Sequence, residues 1–175
     1  MNQHIITIFG TAGAAADDEV FKTAYETGKA LAQRGFIIAN GGYGGTMLAA
    51  AKGAAQANGS VIGVTCSAFK QSGANEYVTR VIVTDSLQQR LKKLVELGQG
   101  YVVLAGGTGT LLELAHVWEL KNKGFAEANK PIIIIGRFWK KLVDLIADMD
   151  ADSIRCVQIT DNPAEAAQIL SGHFD

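Results

Sequence analysis

The stretch YVVLAGGTGTLLE, residues 101–113, contains the clearest structural pattern in this chain. Its apolar beginning predicts a buried strand, its glycines predict a turn, and its last residues predict the start of a helix. A second stretch, FIIANGGYGGTM at residues 36–47, has the same order of strand, glycine loop and helix. The helix N-terminus behind each loop offers unpaired N–H groups and a partial positive charge. Two such helix ends at one sheet edge indicate a site for an anion.

Both glycine loops are predicted to hold the phosphate of a nucleotide-like ligand without help from a lysine. Glycine permits positive φ and lets a ligand approach the main-chain amides closely. The alternative is that the glycines only form tight strand-to-helix turns. Two loops of this density favour ligand binding, because glycine costs conformational entropy that a simple turn does not require. The candidate phosphate-binding residues are Gly41, Gly42, Gly44, Gly45, Thr46, Gly106, Gly107, Thr108, Gly109 and Thr110.

Neither loop matches a standard nucleotide fingerprint. The chain contains no G-x-x-x-x-G-K-[ST] and no G-x-G-x-x-G, and Asn40 stands where an acidic residue would end the second strand. A nucleoside-triphosphate hydrolase and an NAD(P) dehydrogenase are therefore both disfavoured.

Short apolar runs alternate with helical patterns along the whole chain. The strand candidates are residues 4–9, 36–39, 60–65, 78–84, 101–104, 131–135 and 156–160, and the helix candidates are 17–34, 46–58, 86–97, 110–123, 138–148 and 163–170. Continuously apolar strands are typical of a parallel sheet covered on both faces. The pattern predicts an α/β fold over residues 1–175. We expect a single doubly wound Rossmann-like domain with a mainly parallel sheet of about six or seven strands. The irregular segment 66–77 is either an active-site flap or a surface loop.

Composition limits the class of protein. Of the 175 residues 48% are apolar and 19% are charged, and the net charge is −1, so no nucleic-acid partner is expected. No apolar stretch reaches the roughly 18 residues that span a membrane, and the first residues lack a secretion signal. We therefore expect no membrane partner and a cytoplasmic location. Cys66 and Cys156 fit thiols in a reducing compartment, and His4, His116 and His173 lack metal-ligand spacing, so no metal site is expected.

Glu113 is a candidate functional residue with two interpretations. With Thr110 it has the spacing of a capping box, in which Thr110 caps the helix and Glu113 reaches back. Alternatively, its carboxylate in the first turn after a phosphate loop points at the ligand. On a helical wheel Glu113 lies in line with Val117 and Leu120, on an apolar side of the helix. Its position alone leaves both interpretations open.

Arg90 is the second candidate, because it lies on the apolar side of its predicted helix. At about 100° per residue it falls between Leu94 and Leu97, whereas Lys92 and Lys93 lie on the opposite, solvated side. An arginine that faces the core must be paired or bound to a ligand, because an unpaired buried charge is very costly. A purely structural pair between Arg90 and a carboxylate is the alternative to a ligand-binding role.

Several of these segments resemble one known family. AGGTGTLLE at residues 105–113 matches the P-G-G-x-G-T-x-x-E motif of the Lonely Guy (LOG) family, and NGGYGGTM at residues 40–47 resembles its earlier G-G-G-x-x-G-x-M loop. Arg90 lies sixteen residues before Gly106, where the family has the catalytic arginine of its M-H-x-R-K segment. Ala105 replaces the motif's proline, and LQQRL at residues 87–91 lacks the histidine and the lysine. The chain therefore resembles a divergent member of the family.

The resemblance implies an activity. LOG proteins, often labelled "lysine decarboxylase-like", are cytokinin riboside 5′-monophosphate phosphoribohydrolases. It implies hydrolysis of the N-glycosidic bond of a nucleoside 5′-monophosphate, of AMP or cytokinin riboside type, to free base and ribose 5-phosphate. Arg90 and Glu113 would be catalytic, and Gly10 and Thr11 become further ligand-binding candidates. No cofactor is expected, and a decarboxylase is rejected because no lysine has a convincing pyridoxal phosphate context.

The rival hypothesis is a non-catalytic carrier or sensor that binds a nucleotide or the molybdenum cofactor in the same pocket. The glycine loops fit both hypotheses. The pair of Arg90 and Glu113 favours the enzyme, and the missing histidine and lysine favour the carrier.

A homodimer is also expected, because LOG-like proteins are typically dimers. The helix that carries Leu114, Ala115 and Trp118 is apolar nearly all round, as a helix at an interface would be. Burial of this helix within a single chain is the alternative.

Overall fold

A computed structural model describes residues 3–70, 73–125 and 129–174 of the chain. In these ranges the strands are β1 (Ile5–Phe9), β2 (Ile37–Asn40), β3 (Val61–Cys66), β4 (Arg80–Thr84), β5 (Gly100–Val103), β6 (Ile132–Ile135) and β7 (Gln158–Thr160). The helices are α1 (Glu19–Gln33), α2 (Thr46–Gln56), α3 (Leu87–Leu97), α4 (Thr108–Asn122), α5 (Lys140–Ala147) and α6 (Pro163–Phe174), and a 3₁₀ turn spans Ser153–Cys156.

The described strands form one sheet in the order β4-β3-β2-β1-β5-β6-β7, and every pairing is parallel. The chain runs outward from β1 to β4 on one side and then returns to the centre to add β5, β6 and β7. This confirms the predicted doubly wound α/β domain with a parallel sheet. The strand order reverses between β1 and β5, and in such sheets the ligand binds beyond the carboxyl ends of the strands at that switch point.

Helices cover both faces of the sheet, as the apolar strands predicted. One core lies between the sheet and α1, α2 and α6, and includes Ile6, Ile38 and Leu170. The other lies between the sheet and α3, α4 and α5, and includes Tyr101 and Leu114. Every residue of β5 and β6 is buried. The burial of these central strands fixes the points at which the following loops leave the sheet.

Glycine allows α1 and α2 to pack at very short range. A Cβ at Gly28 of α1 would lie 2.0 Å from the carbonyl oxygen of Ala50, and a Cβ at Gly53 of α2 would lie 2.0 Å from that of Tyr25. No side chain fits at such a distance, so both positions require glycine. The close packing fixes α2, and with it the glycine loop that precedes α2.

Several helix and strand ends differ from the prediction. β4 and β7 are each shorter than predicted at their beginning, and the 3₁₀ turn takes the residues before β7. The helix predicted to begin at Thr110 begins at Thr108, with a hydrogen bond of 2.9 Å from the N–H of Leu111 to the carbonyl of Gly107. Glycine disfavours helix interiors, but at this first turn the packing of the later apolar residues of α4 outweighs that preference.

Among the helices described, none is long and apolar enough to cross a membrane.

Candidate functional site

A cavity of about 290 Å³ lies at the switch point, beyond the carboxyl ends of β1, β2 and β5. We call it the switch-point pocket. Its walls come from the segments that follow five strands, β1 to β5. Its lining is Ile8, Phe9, Gly10, Thr11, Ala12, Gly41, Tyr43, Met47, Phe69, Arg90, Gly107, Thr108, Gly109, Thr110 and Glu113. Both catalytic candidates therefore share one pocket with the amino terminus of α4.

The amino terminus of α4 is open to a ligand. Its N-cap residue is Gly107, and no side chain caps the helix. The amides of Thr108, Gly109 and Thr110 belong to the first turn, where N–H groups have no partner within the helix and the helix dipole favours an anion. The capping-box interpretation of Thr110 and Glu113 is wrong, because Thr110 lies inside the helix instead of capping it.

The loop between β2 and α2, unlike the start of α4, is bonded to another loop of the protein where its helix begins. The N–H and the hydroxyl of Thr46 both donate to the carbonyl oxygen of Thr11, each at 2.9 Å, so the first amide of α2 is bonded within the protein. Gly42 and Gly45 have positive φ values of 77° and 60°. At Gly41 a Cβ would lie 1.8 Å from Nη2 of Arg90, so glycine is needed there to admit the guanidinium.

The predicted phosphate-binding residues fall into two groups. Gly41, Gly107, Thr108, Gly109 and Thr110 line the switch-point pocket, as do Gly10 and Thr11 after β1. The remaining candidates, Gly42, Gly44, Gly45, Thr46 and Gly106, are not among its lining residues. The binding of phosphate by either group stays a prediction.

Arg90 is buried, as its place on α3 predicted, with 8% of its surface exposed. Its Nε–H donates to the carbonyl oxygen of Val64 in β3 at 2.8 Å. Its Nη2 lies 4.0 Å from Sδ of Met47. The guanidinium also lies against the rings of Tyr43 and Phe69. Arg90 is therefore held at the wall of the pocket by groups from β3 and from the segments that follow β2 and β3.

Glu113 faces Arg90 across the switch-point pocket. Oε1 of Glu113 lies 3.9 Å from Nη1 of Arg90, and the two side chains are 15% and 10% exposed. This separation exceeds a hydrogen bond, so the two groups form an ion pair without a direct hydrogen bond between these atoms. Burial raises the pKa of Glu113 from 4.5 to about 7, although the Arg90 charge lowers it. The Arg90 charge therefore does not hold the pKa of this carboxyl at its ordinary value, because desolvation outweighs the attraction.

Sequence reasoning missed two residues that contact Arg90 and a third that bonds to the loop carrying one of them. Tyr43 interrupts the first glycine loop, and an aromatic residue at that point could have suggested a contact with the ligand site. Phe69 lies in the irregular segment after β3 and lines the pocket. Asn75 ties the same segment to the glycine loop, because its side-chain amide donates to the carbonyl oxygens of Gly42 and Tyr43 at 3.1 and 2.9 Å. Of the two alternatives for this segment, the structure favours contribution to the site.

The apolar residues of α4 are partly buried and partly exposed. Leu114 and Trp118 are buried, whereas Leu111 and Leu112 are 37% and 42% exposed and Ala115 is also exposed. Burial within the chain thus accounts for only part of the apolar surface of α4. The homodimer, the cytoplasmic location and the lack of a nucleic-acid or metal partner all stay predictions.

The fold and the pocket define the structural class of the protein. It is a doubly wound α/β domain with an all-parallel sheet among the described strands and a cavity at the switch point. The chain belongs to the SLOG cluster4 family, whose model matches residues 3–167. It is 31% identical over 119 residues to a cytokinin riboside 5′-monophosphate phosphoribohydrolase of Mycobacterium tuberculosis. The matched region covers 67% of this chain and 63% of that protein. The predicted membership of the LOG family, as a divergent member, is confirmed.

Two solved structures are similar over nearly the whole chain. The molybdenum cofactor binding protein of Rippkaea orientalis has a TM-score of 0.81 at 26% identity, covering 100% of this chain and 99% of that one. The molybdenum cofactor carrier protein of Chlamydomonas reinhardtii has a TM-score of 0.78 at 27% identity, covering 99% of each chain. This chain is thus similar both to a protein named a phosphoribohydrolase and to proteins named for binding or carrying the molybdenum cofactor.

Proposed function

We propose that the protein hydrolyses the N-glycosidic bond of a nucleoside 5′-monophosphate and releases the free base and ribose 5-phosphate. One observation carries the proposal. Glu113, with a pKa raised to about 7, faces Arg90 in the pocket that also contains the uncapped start of α4. A carboxyl group with a pKa near neutrality can both accept and return a proton at physiological pH.

The arrangement suits each part of this reaction. The amides of Thr108, Gly109 and Thr110 would hold the 5′-phosphate, which fixes the sugar beside Glu113. Cleavage of the C1′–N bond builds positive charge on the sugar, and a nearby carboxylate stabilises that charge. Water supplies the oxygen that bonds to C1′. Its proton passes to Glu113, and the departing base gains a proton in exchange.

Arg90 would act on the same ligand. Its guanidinium is buried and directs Nη1 toward Glu113. The 3.9 Å between Nη1 and Oε1 leaves both groups free to bond to an oxygen of the ligand. The name of the mycobacterial relative supports this reaction class.

Incubation with a panel of nucleoside 5′-monophosphates, with free base measured by chromatography, tests the proposal. We expect base release by the wild type and its loss in Glu113→Gln. Glu119→Gln is the matched control, because Glu119 lies on the same helix with a side chain 61% exposed and pairs with Lys123. Full activity of Glu113→Gln, or no base from any nucleotide, would contradict the proposal.

The second candidate is a carrier that binds a nucleotide or the molybdenum cofactor in the switch-point pocket without cleaving it. The two similar structures of molybdenum cofactor proteins favour it. The same open α4 amides would take the phosphate of that cofactor. Calorimetric binding of a ligand by the wild type and by Glu113→Gln, with no release of base by either, is the result that would select the carrier.

A further inference from the structure

Arg90 carries more hydrogen-bond donors than the described residues around it satisfy. A guanidinium has five N–H groups, and Nε–H makes a strong bond to the carbonyl of Val64. Nη2 lies 4.0 Å from the thioether sulfur of Met47, which is a weak acceptor. Nη1 lies 3.9 Å from Glu113. One strong hydrogen bond at Nε does not fix the plane of the guanidinium.

Two aromatic rings supply the missing constraint. Cζ of Arg90 lies 5.6 Å from the ring centroid of Tyr43 and 5.5 Å from that of Phe69, within the range of cation–π attraction. The two ring centroids lie 6.2 Å apart. The guanidinium therefore sits at the junction of two neighbouring rings, not between two parallel ones.

The two rings are anchored differently. The hydroxyl of Tyr43 accepts from the N–H of Cys66 at 2.8 Å and donates to its carbonyl at 3.2 Å, which fixes the ring to the end of β3. Phe69 has no polar group on its ring, and its backbone N–H donates to the carbonyl of Cys66 at 3.1 Å. Phe69 is half-buried and lines the switch-point pocket, so its ring separates part of the guanidinium from water.

We propose that Phe69 is a positioning residue that acts through Arg90. Its ring, with that of Tyr43, holds the guanidinium at the pocket wall with Nη1 directed toward Glu113. The kinetic consequence rests on the proposed hydrolysis. Loss of the ring lowers kcat more than it raises KM, because the 5′-phosphate is held separately at the start of α4. The assignment gives a role to the segment after β3, which carries none of the residues named in the family motifs.

Three replacements at position 69 separate cation–π attraction from simple packing. Phe69→Leu keeps apolar volume without a π face, Phe69→Trp keeps the π face, and pentafluorophenylalanine keeps the ring shape while removing its negative face. We expect kcat to fall about tenfold with leucine and with the fluorinated ring, and to be retained with tryptophan. Equal kcat in all forms, or a rise in KM with kcat unchanged, overturns the proposal. The fluorinated variant decides the matter if Phe69→Leu folds poorly.

A second readout does not depend on catalysis. The Nε–H resonance of Arg90, assigned by its loss in Arg90→Lys, reports how firmly the guanidinium is held. We expect its hydrogen exchange to be about tenfold faster in Phe69→Leu than in the wild type. Equal exchange in the two proteins refutes the positioning role. If the wild type releases no base from any nucleotide, the hydrolase proposal alone fails and this measurement still decides the role of Phe69.

Discussion

Glu113 couples the stability of the fold to pH, and Glu113→Gln removes that coupling. Burial raises the pKa of this carboxyl from 4.5 to about 7 in the folded protein. Below pH 4.5 the group is protonated in both the folded and the unfolded chain, so its contribution to stability is fully present. As the pH rises toward 7, the unfolded chain releases the proton first, and the wild type loses stability.

The size of this loss follows from the change in pKa. A rise from 4.5 to about 7 corresponds to about 3 kcal/mol of unfolding free energy. The side chain is only 15% exposed, so solvent screening removes little of it. Glutamine does not titrate. The stability of Glu113→Gln relative to the wild type should therefore rise by about 3 kcal/mol between pH 4.5 and pH 8.5.

Urea unfolding followed by tryptophan fluorescence measures this difference, because Trp118 and Trp139 are both buried. The series compares the wild type, Glu113→Gln and the exposed control Glu119→Gln at several pH values. Equal urea dependence of the free energy in all three proteins verifies that they unfold in the same way. Parallel pH curves for Glu113→Gln and the wild type would refute the raised pKa, and with it the basis for proton transfer by Glu113.

Two further predictions concern Gly41 in the pocket wall and a buried hydrogen bond just after β5. Gly41→Ala places a Cβ 1.8 Å from Nη2 of Arg90, and should displace the guanidinium and lower the free energy of unfolding by about 1–3 kcal/mol. The control Gly13→Ala places its Cβ 3.7 Å from the nearest atom and should leave stability unchanged. Urea unfolding compares the two variants, and equal stability would contradict the predicted crowding at Gly41. Trp139→Phe removes the hydrogen bond of 2.9 Å from Nε1–H to the carbonyl of Leu104. It should cost about 1–2 kcal/mol in thermal unfolding, and an unchanged midpoint would show that water replaces the indole.

The sheet was predictable because its strands are strongly patterned. Runs such as IIII at residues 132–135 are apolar at every position, and only a strand covered on both faces buries them all. β4 was harder to delimit because it is the edge strand, where Val81 and Val83 remain 48% and 64% exposed. At the edge, pairing with β3 and not apolar pattern decides where the strand begins.

Arg90 and Glu113 were predictable one by one, since each polar side chain interrupts an apolar helix face. The sign of the pKa change at Glu113 was not, because it depends on how far burial outweighs Arg90, and sequence spacing does not give that balance. Phe69 was equally beyond prediction. It comes from a segment without periodicity, and only the tertiary fold places it against Arg90.

We propose that the start of α4 anchors a phosphate while Glu113 acts on the glycosidic bond. The most direct measurement compares the rate of base release from AMP with that from adenosine, which lacks the phosphate, for the wild type and Glu113→Gln at neutral pH. We expect release of adenine from AMP by the wild type, much slower release from adenosine, and neither reaction in the variant. Equal rates with AMP and adenosine, or no adenine from AMP, would contradict it.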